Sequence, residues 1–272
     1  MAGKRYKTKF SLVLLSLIIL TFSTVVFYSC GNDKPKTKTV DTKPISIKKF
    51  DTPPGADPSV PADKGGNGFT GEGWTTNTKL VGYGDPKAVK GGSISWSIPD
   101  FPATLRPIGK DENSYYTRMA QNMLYERLLQ EDPVTGEFAP LLATHWKISE
   151  DKLTFTFRIN PNARWADGKP VTTDDYLATW KMMLDPELLT GNDEFYKENF
   201  EMPVAESKYI VSVKAKKLGW FYFDVAGGIK ILPAHYLQDD KGNMMKGRDF
   251  LDKYNYDPIP GSGPYYIRKE DV

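Results

Sequence analysis

Twenty-one consecutive residues without a charge, FSLVLLSLIILTFSTVVFYSC from Phe10 to Cys30, follow a basic start that carries Lys4, Arg5, Lys7 and Lys9. Such a run is close to the roughly 20 apolar residues that a bilayer-spanning helix requires. A basic region followed by an apolar one is the order of a secretory signal, and an uncleaved membrane anchor has the same order. Both readings place the rest of the chain outside the cytoplasmic membrane, and both leave the folded body to residues 31–272.

The chain has 272 residues, 40% of them hydrophobic and 26% charged, enough for one or two domains with sizeable cores. Its 36 basic and 34 acidic residues nearly balance at +2, so no electrostatic footprint for nucleic acid is present. Two histidines, His145 and His235, and the single Cys30 fall short of the usual zinc ligand count and of an internal disulfide. No metal or cofactor is expected. Phe27-Tyr28-Ser29-Cys30 resembles the lipobox of bacterial lipoproteins, although Phe27 stands where Leu is usual and Tyr28 where a small residue is usual. That resemblance implies a lipoprotein signal peptide over residues 1–30 and a lipid on Cys30; an uncleaved signal anchor is the alternative.

Residues 31–90 are rich in Lys, Pro, Asp, Thr and Gly and lack apolar periodicity, which predicts a solvated, disordered tether, with Trp74, Leu80 and Val81 offering some apolar area near its end. Beyond it the pattern changes. GSISWSI alternates Ile94, Trp96 and Ile98 against serines, as a strand would, and Pro99 and Pro102 end it. Ser114 can cap a helix whose Met119, Met123 and Leu124 or Leu128 recur at core spacing up to Leu129. QEDPVTGEFAP carries the turn signals of a hairpin. Two strands are predicted after it, the second alternating Leu153, Phe155, Phe157 and Ile159. GWFYFDVAGG, residues 219–228, reads as a buried segment.

The stretch RWADGKPVTTDDYLATW, residues 164–180, concentrates acids and hydroxyls. Asp167-Gly168 is a turn dipeptide, and Thr172 with Asp175 has the spacing of a capping box. Leu177, Trp180 and Leu184 then mark one apolar helix face. Asp174 and Asp175 in a first turn are favourable against the helix dipole. Paired catalytic carboxylates need facing geometry across a cleft, which neighbours in a solvent-facing cap do not supply. GSGPYY lacks the Gly-x-Ser-x-Gly spacing of a nucleophile elbow, and no glycine cluster ends in Gly-Lys-Ser/Thr.

In order along the chain, LYERLLQEDPVTGEFAPLLATHWKISEDKLTFTFRINPNARWADGKPVTTDDYLATWKMMLDP resembles the signature region of the extracellular solute-binding proteins of the oligopeptide/dipeptide/nickel class. PATLRPI is similar to that family's Ser-Leu-Asp-Pro turn, with Arg106 where Asp is usual, and ILPAHYL and GSGPYYI are similar to its Leu-Pro-Lys-His and Gly-Thr-Gly-Pro-Tyr segments.

The resemblance implies an α/β, periplasmic-binding-protein-like fold (type II, class C), a mixed sheet with flanking helices. Residues 91–125 and 218–272 would be parts of lobe I and residues 126–217 a smaller subdomain, with the second lobe missing from this sequence. It implies no enzyme but a monomeric receptor that captures an oligopeptide or other small solute and hands it to ABC permease subunits. The loop matching the one that reaches the ligand in peptide binders is Lys110, Asp111, Glu112 and Asn113, and the loop after Leu184-Asp185-Pro186 adds Asn192 and Phe195. Two other functions compete: a secreted glycan-active hydrolase using Asp167, Asp174 or Asp175, which loss-free Asn variants would dismiss, and a membrane-tethered protein-binding domain, against which stabilisation by a small molecule would argue.

Overall fold

The computed structural model describes residues 55–79, 85, 87–89 and 95–272. The chain divides into two units, Met1–Lys49 and Phe50–Val272, and every described residue belongs to the second. Cys30, Leu80, Val81 and Ile94 lie outside the described residues.

Among the described residues the first α-helix is α1 (Tyr115–Leu124), followed by a hairpin of β1 (Leu129–Glu131) and β2 (Phe138–Pro140). The hairpin turns where its sequence says it should: Asp132 Oδ1 accepts from the amides of Val134 (2.8 Å) and Thr135 (3.0 Å), and Gly136 takes a left-handed φ of 70°. A four-stranded antiparallel sheet follows, built from β3 (Ala143–Ile148), β4 (Thr154–Ile159), β5 (Val204–Ala205) and β6 (Ile210–Lys214) in the order β3-β4-β6-β5. Along β4 the side chains alternate, with Phe155, Phe157 and Ile159 buried. Helices α2 (Thr173–Met183), α3 (Asp193–Asn199), α4 (Tyr222–Gly228) and α5 (Gly247–Lys253) complete the body.

Two apolar clusters share one wall. The larger joins the inner face of the sheet to α2 and α4, where Phe223 stacks on Phe157 (centroids 5.6 Å apart) and meets Phe138 edge-on. The smaller gathers Ile108, Leu124, Leu188, Leu232, Phe250 and Leu251. Helix α2 contributes Trp180 to the first and Met182 to the second, so it is buried on more of its circumference than a single apolar stripe predicts. Leu177 and Leu184, expected beside Trp180, pack half-buried against the first cluster.

The solvated tether expected over residues 31–90 gives way, over residues 55–79, to an ordered strap on the outer face of the sheet. Arg158 donates through Nε and Nη2 to the Gly65 carbonyl (3.1 and 2.9 Å), with its guanidinium over the Phe69 ring. Thr75 and Trp146 exchange both backbone hydrogen bonds (2.8 and 2.9 Å), and the Asp57 amide donates to the Tyr209 hydroxyl. Gly66 has no room for a side chain, since a Cβ there would lie 1.8 Å from the Val60 carbonyl oxygen. The strap escapes periodicity arguments because turns and long-range hydrogen bonds hold it, with one 3-10 turn at Ala62–Lys64 as its only regular element. Replacing Arg158 with Met should cost about 1–3 kcal/mol and speed proteolytic cutting within residues 55–79. Limited proteolysis followed by mass spectrometry measures it; an unchanged cleavage pattern would contradict the anchoring role.

Other expectations are corrected. Residues 95–98 form no strand, and Trp96 is 61% exposed, because alternation without a neighbouring strand to hydrogen-bond to does not make a sheet. The buried face of α1 is Thr117, Gln121 and Leu124, while Met119 and Met123 are half-buried and the helix stops at Leu124. Trp220, within the segment read as buried, is 95% exposed, and with Leu218 and Ile148 it walls an apolar groove of about 690 Å³ floored by Phe155 and Phe223. The cap of α2 is not solvent-facing either: Asp175 is only 4% exposed.

Candidate functional site

Residues 106–113 form a fixed loop whose geometry starts from a buried cation. Arg106 donates to the Thr104 hydroxyl (2.9 Å), the Leu251 carbonyl (3.0 Å) and the Lys110 carbonyl (2.8 Å), tying the loop both to itself and to α5. Gly109 and Asp111 take left-handed φ values of 103° and 66°, which turn the chain sharply ahead of α1. Glu112 Oε2 accepts from the Gly109 amide (3.1 Å), closing the turn, and burial pushes its carboxyl above the usual range. Lys110, Asp111 and Asn113 have exposed side chains.

Gln121, on the buried face of α1, links this loop to the strand-like segment after α4. Its Nε2 donates to the carbonyls of Arg106 (2.7 Å) and Glu112 (3.3 Å), and its Oε1 accepts from Lys230 Nζ at 2.5 Å. Lys230 is half-buried and bridges antiparallel to Arg127. Burial, with Arg127 and Arg118 adding to it and Glu112 opposing, pushes the Lys230 ammonium down to about 8. Beside it Arg127 lines a polar groove of about 490 Å³ together with Asn122, Glu126, Gln130 and Asp224.

The second expected loop is placed differently. Asn192 is exposed at the start of α3, while the half-buried Phe195 stacks on Phe221 (centroids 5.9 Å, 19° between planes) and meets Phe200 and Tyr222 edge-on. Phe195 therefore packs in an aromatic cluster. Its neighbour Tyr196 senses the first loop: burial first and the Glu112 charge second push the phenol up to about 12. Of the six residues expected to touch a solute, the structure brings Glu112 into a polar constellation with the buried Gln121 and the half-buried Lys230 and Arg127, while Arg118, whose charge reaches Lys230, is exposed. Sequence reasoning missed these, though one signal was there: Lys230 is the only charge in the apolar run AGGIKILP.

The acids of the 164–180 stretch do other work. Asp167 pairs with His235 (2.7 Å), Asp174 is an exposed residue of the first helical turn, and Asp175 accepts from the Thr172 amide (2.8 Å), the Ala234 amide (2.7 Å) and Trp165 Nε1 (3.3 Å). Among the described residues no group of three or more His, Cys, Asp or Glu side chains could hold a metal ion.

Residues 137–271 match the family model of the bacterial extracellular solute-binding proteins, family 5. The periplasmic murein peptide-binding protein MppA of Escherichia coli is 42% identical over 96 residues, covering 34% of this chain and 17% of MppA. The probable peptide-binding protein YejA of Agrobacterium fabrum is 29% identical over 190 residues, covering 68% of this chain and 29% of YejA. Among solved structures, the oligopeptide-binding protein AppA of Bacillus subtilis, in complex with a nonapeptide, superposes with a TM-score of 0.50 at 26% identity, over 57% of this chain and 30% of AppA. The chain thus spans less than a third of the length of each of these proteins.

Proposed function

From the premise that this chain belongs to the bacterial extracellular solute-binding proteins of family 5, we propose that it captures peptides, or a related small solute, for an ABC permease. The observation that carries the reading is the match of residues 137–271 to the family model, and the loop of residues 109–113 supports it: pinned by Arg106 and Gln121, it presents the exposed side chains of Lys110, Asp111 and Asn113. The names of MppA, YejA and AppA support peptides as the solute class. In this reading Lys110, Asp111, Glu112 and Asn113 reach the solute, and Asn192 contributes from the start of α3. Phe195 acts indirectly, by fixing α3.

The protein works as a monomer held at the membrane through a lipid on Cys30, in the cell envelope. Residues 91–125 and 218–272 form parts of one lobe and residues 126–217 a subdomain; the two apolar clusters follow that division only in part, since Met182 and Leu188 pack in the smaller cluster and α4, Ile229 and Ile231 in the larger. Among the described residues no helix is long and apolar enough to cross a membrane.

Native mass spectrometry of the protein purified from its own cells, followed by thermal-shift measurements with a mixed peptide pool and with oligosaccharides, tests the function. Peptides should co-purify and raise the melting temperature. Stabilisation by sugars alone would overturn the peptide assignment. Fatty-acid labelling that persists in Cys30→Ala would remove the anchor.

A further inference from the structure

The apolar groove between the β3–β4 turn and the start of α4 lies outside the candidate site, and its most prominent wall is Trp220, 95% exposed. The indole stands on a packed base. Phe221 stacks on Phe195, Tyr222 and Phe223 are buried, and a Cβ at Gly219 would lie 2.6 Å from the Tyr222 ring, so the chain closes tightly under the tryptophan. Leu218 (69% exposed) and Ile148 (47%) complete the apolar rim. An exposed apolar patch held this way marks a contact surface. Even at the roughly 150–250 Å² that a large aromatic side chain buries, three such groups stay below the roughly 800 Å² per partner of a stable protein interface. A bilayer asks for less, since an indole at the headgroup level beside lysines already anchors a protein surface there.

The charges are sorted between the two walls. Residues 214–223, which carry Trp220, contain three lysines and no acid. Lys214 pairs with Glu201 (2.9 Å), while Lys216 and Lys217 are exposed directly before Leu218. Lys216 Nζ donates to the Lys197 carbonyl (2.6 Å) and keeps two further N–H donors, with the exposed Glu198 of α3 on that side. On the opposite wall Glu150 and Lys152 offset each other, and Asp151 Oδ1 accepts from the Leu153 amide (3.0 Å) and the Ser149 hydroxyl. The edge at the indole is thus cationic, which suits lipid phosphates. A lipid on Cys30 or an uncleaved anchor over residues 10–30 would each keep the body beside a bilayer. We propose that this face docks on the phospholipid surface of the membrane, with Trp220 in the headgroup region, Leu218 and Ile148 behind it, and Lys216 and Lys217 on lipid phosphates. The docking is independent of the solute-binding reading, and it adds a second contact to an anchor that is reversible when it acts alone.

The test is tryptophan fluorescence of the full-length protein mixed with vesicles of acyl-brominated phosphatidylcholine, alone or with added phosphatidylglycerol. Every tryptophan lies outside the N-terminal apolar run, the first being Trp74, so entry of that run into the bilayer gives no signal. Wild type should show a blue shift and bromine quenching, both deeper when phosphatidylglycerol is present. Trp220→Ser should lose most of the quenching with its thermal unfolding unchanged, whereas Trp96→Ser, which removes the other strongly exposed indole, should keep it. Lys216→Gln combined with Lys217→Gln should remove the extra quenching due to phosphatidylglycerol. Absence of quenching in the wild type, or quenching that survives Trp220→Ser, overturns the docking face. Equal quenching by the two vesicle types overturns the role of the lysines. Self-association without lipid that Trp220→Ser abolishes, together with no quenching, makes the face a contact between copies of this chain and overturns the proposal as well.

Discussion

Asp175→Ala should destabilise the folded body by about 4 kcal/mol, more than loss of a helix cap alone, which costs roughly 0.5–2 kcal/mol. The carboxylate is buried and accepts from three donors that come from different parts of the chain: the Thr172 amide at the start of α2, Trp165 Nε1 before the turn, and the Ala234 amide after α4. Truncation leaves all three without their acceptor, Trp165 Nε1 in a buried bond and the two amides in part-buried ones, and a buried donor left unpaired costs on the order of 1–3 kcal/mol. Asp175→Asn should lose about half as much. Its amide keeps one acceptor oxygen but presents N–H groups toward donors that already point inward. Urea denaturation followed by far-UV circular dichroism gives both numbers. Stability within 1 kcal/mol of wild type for the alanine variant would return Asp175 to a simple surface cap.

A second large effect is expected at Gly261, in the segment GSGPYY. A Cβ there would lie 2.0 Å from the Leu124 carbonyl oxygen, and one at Gly263 would lie 2.6 Å from the Met123 carbonyl oxygen. The obstructing atoms are backbone at the end of α1, which cannot swing aside as a side chain can. Gly261→Ala should therefore cost about 3 kcal/mol or more, the upper end for overpacking. The returning chain is held close by three hydrogen bonds: Gly263 amide to Leu124 carbonyl (2.9 Å), Ala166 amide to Gly261 carbonyl (2.9 Å) and Glu126 amide to the Ser262 hydroxyl (3.1 Å). Ser262→Ala is the comparison, removing one acceptor without a clash, and should cost about 1 kcal/mol. If the two variants unfold at the same urea concentration, close backbone approach is not what the glycine provides.

These two positions show where sequence reasoning stopped. Asp175 was legible as part of a capping box, because Thr172 and Asp175 are three residues apart and the bond between them is local. Its burial was not legible, because the donors that surround it come from residues 165 and 234. In the sequence GSGPYY was notable only for lacking the spacing of a nucleophile elbow and for its similarity to a family segment, yet the necessity of Gly261 is spatial and is set by Leu124. Within the candidate site, Glu112 could be picked out from the resemblance of its loop. Its partners Gln121 and Lys230 could not, since a Gln on a helix and a Lys before Ile-Leu-Pro acquire meaning only when the chain folds them within 2.5 Å of each other.

By itself the sequence determined the features whose physics is local. The hairpin follows from Asp132 bonding the amides two and three residues on, the alternation of Phe155, Phe157 and Ile159 from the two-residue period of a strand, and the start of α2 from its capping box. The ordered motifs also determined the family. Tertiary structure alone decided what depends on neighbours distant in sequence. Residues 55–79 became a strap because Arg158 and Trp146 supply partners about 70 to 90 residues away, and residues 95–98 stayed out of the sheet for want of a partner strand. Trp220 was left exposed while Phe223, three residues on, was buried under the sheet. Lys230 was drawn toward two other cations by the same packing. Burial and electrostatic environment are properties of the space around a side chain, and that space exists only once segments far apart in the chain have met.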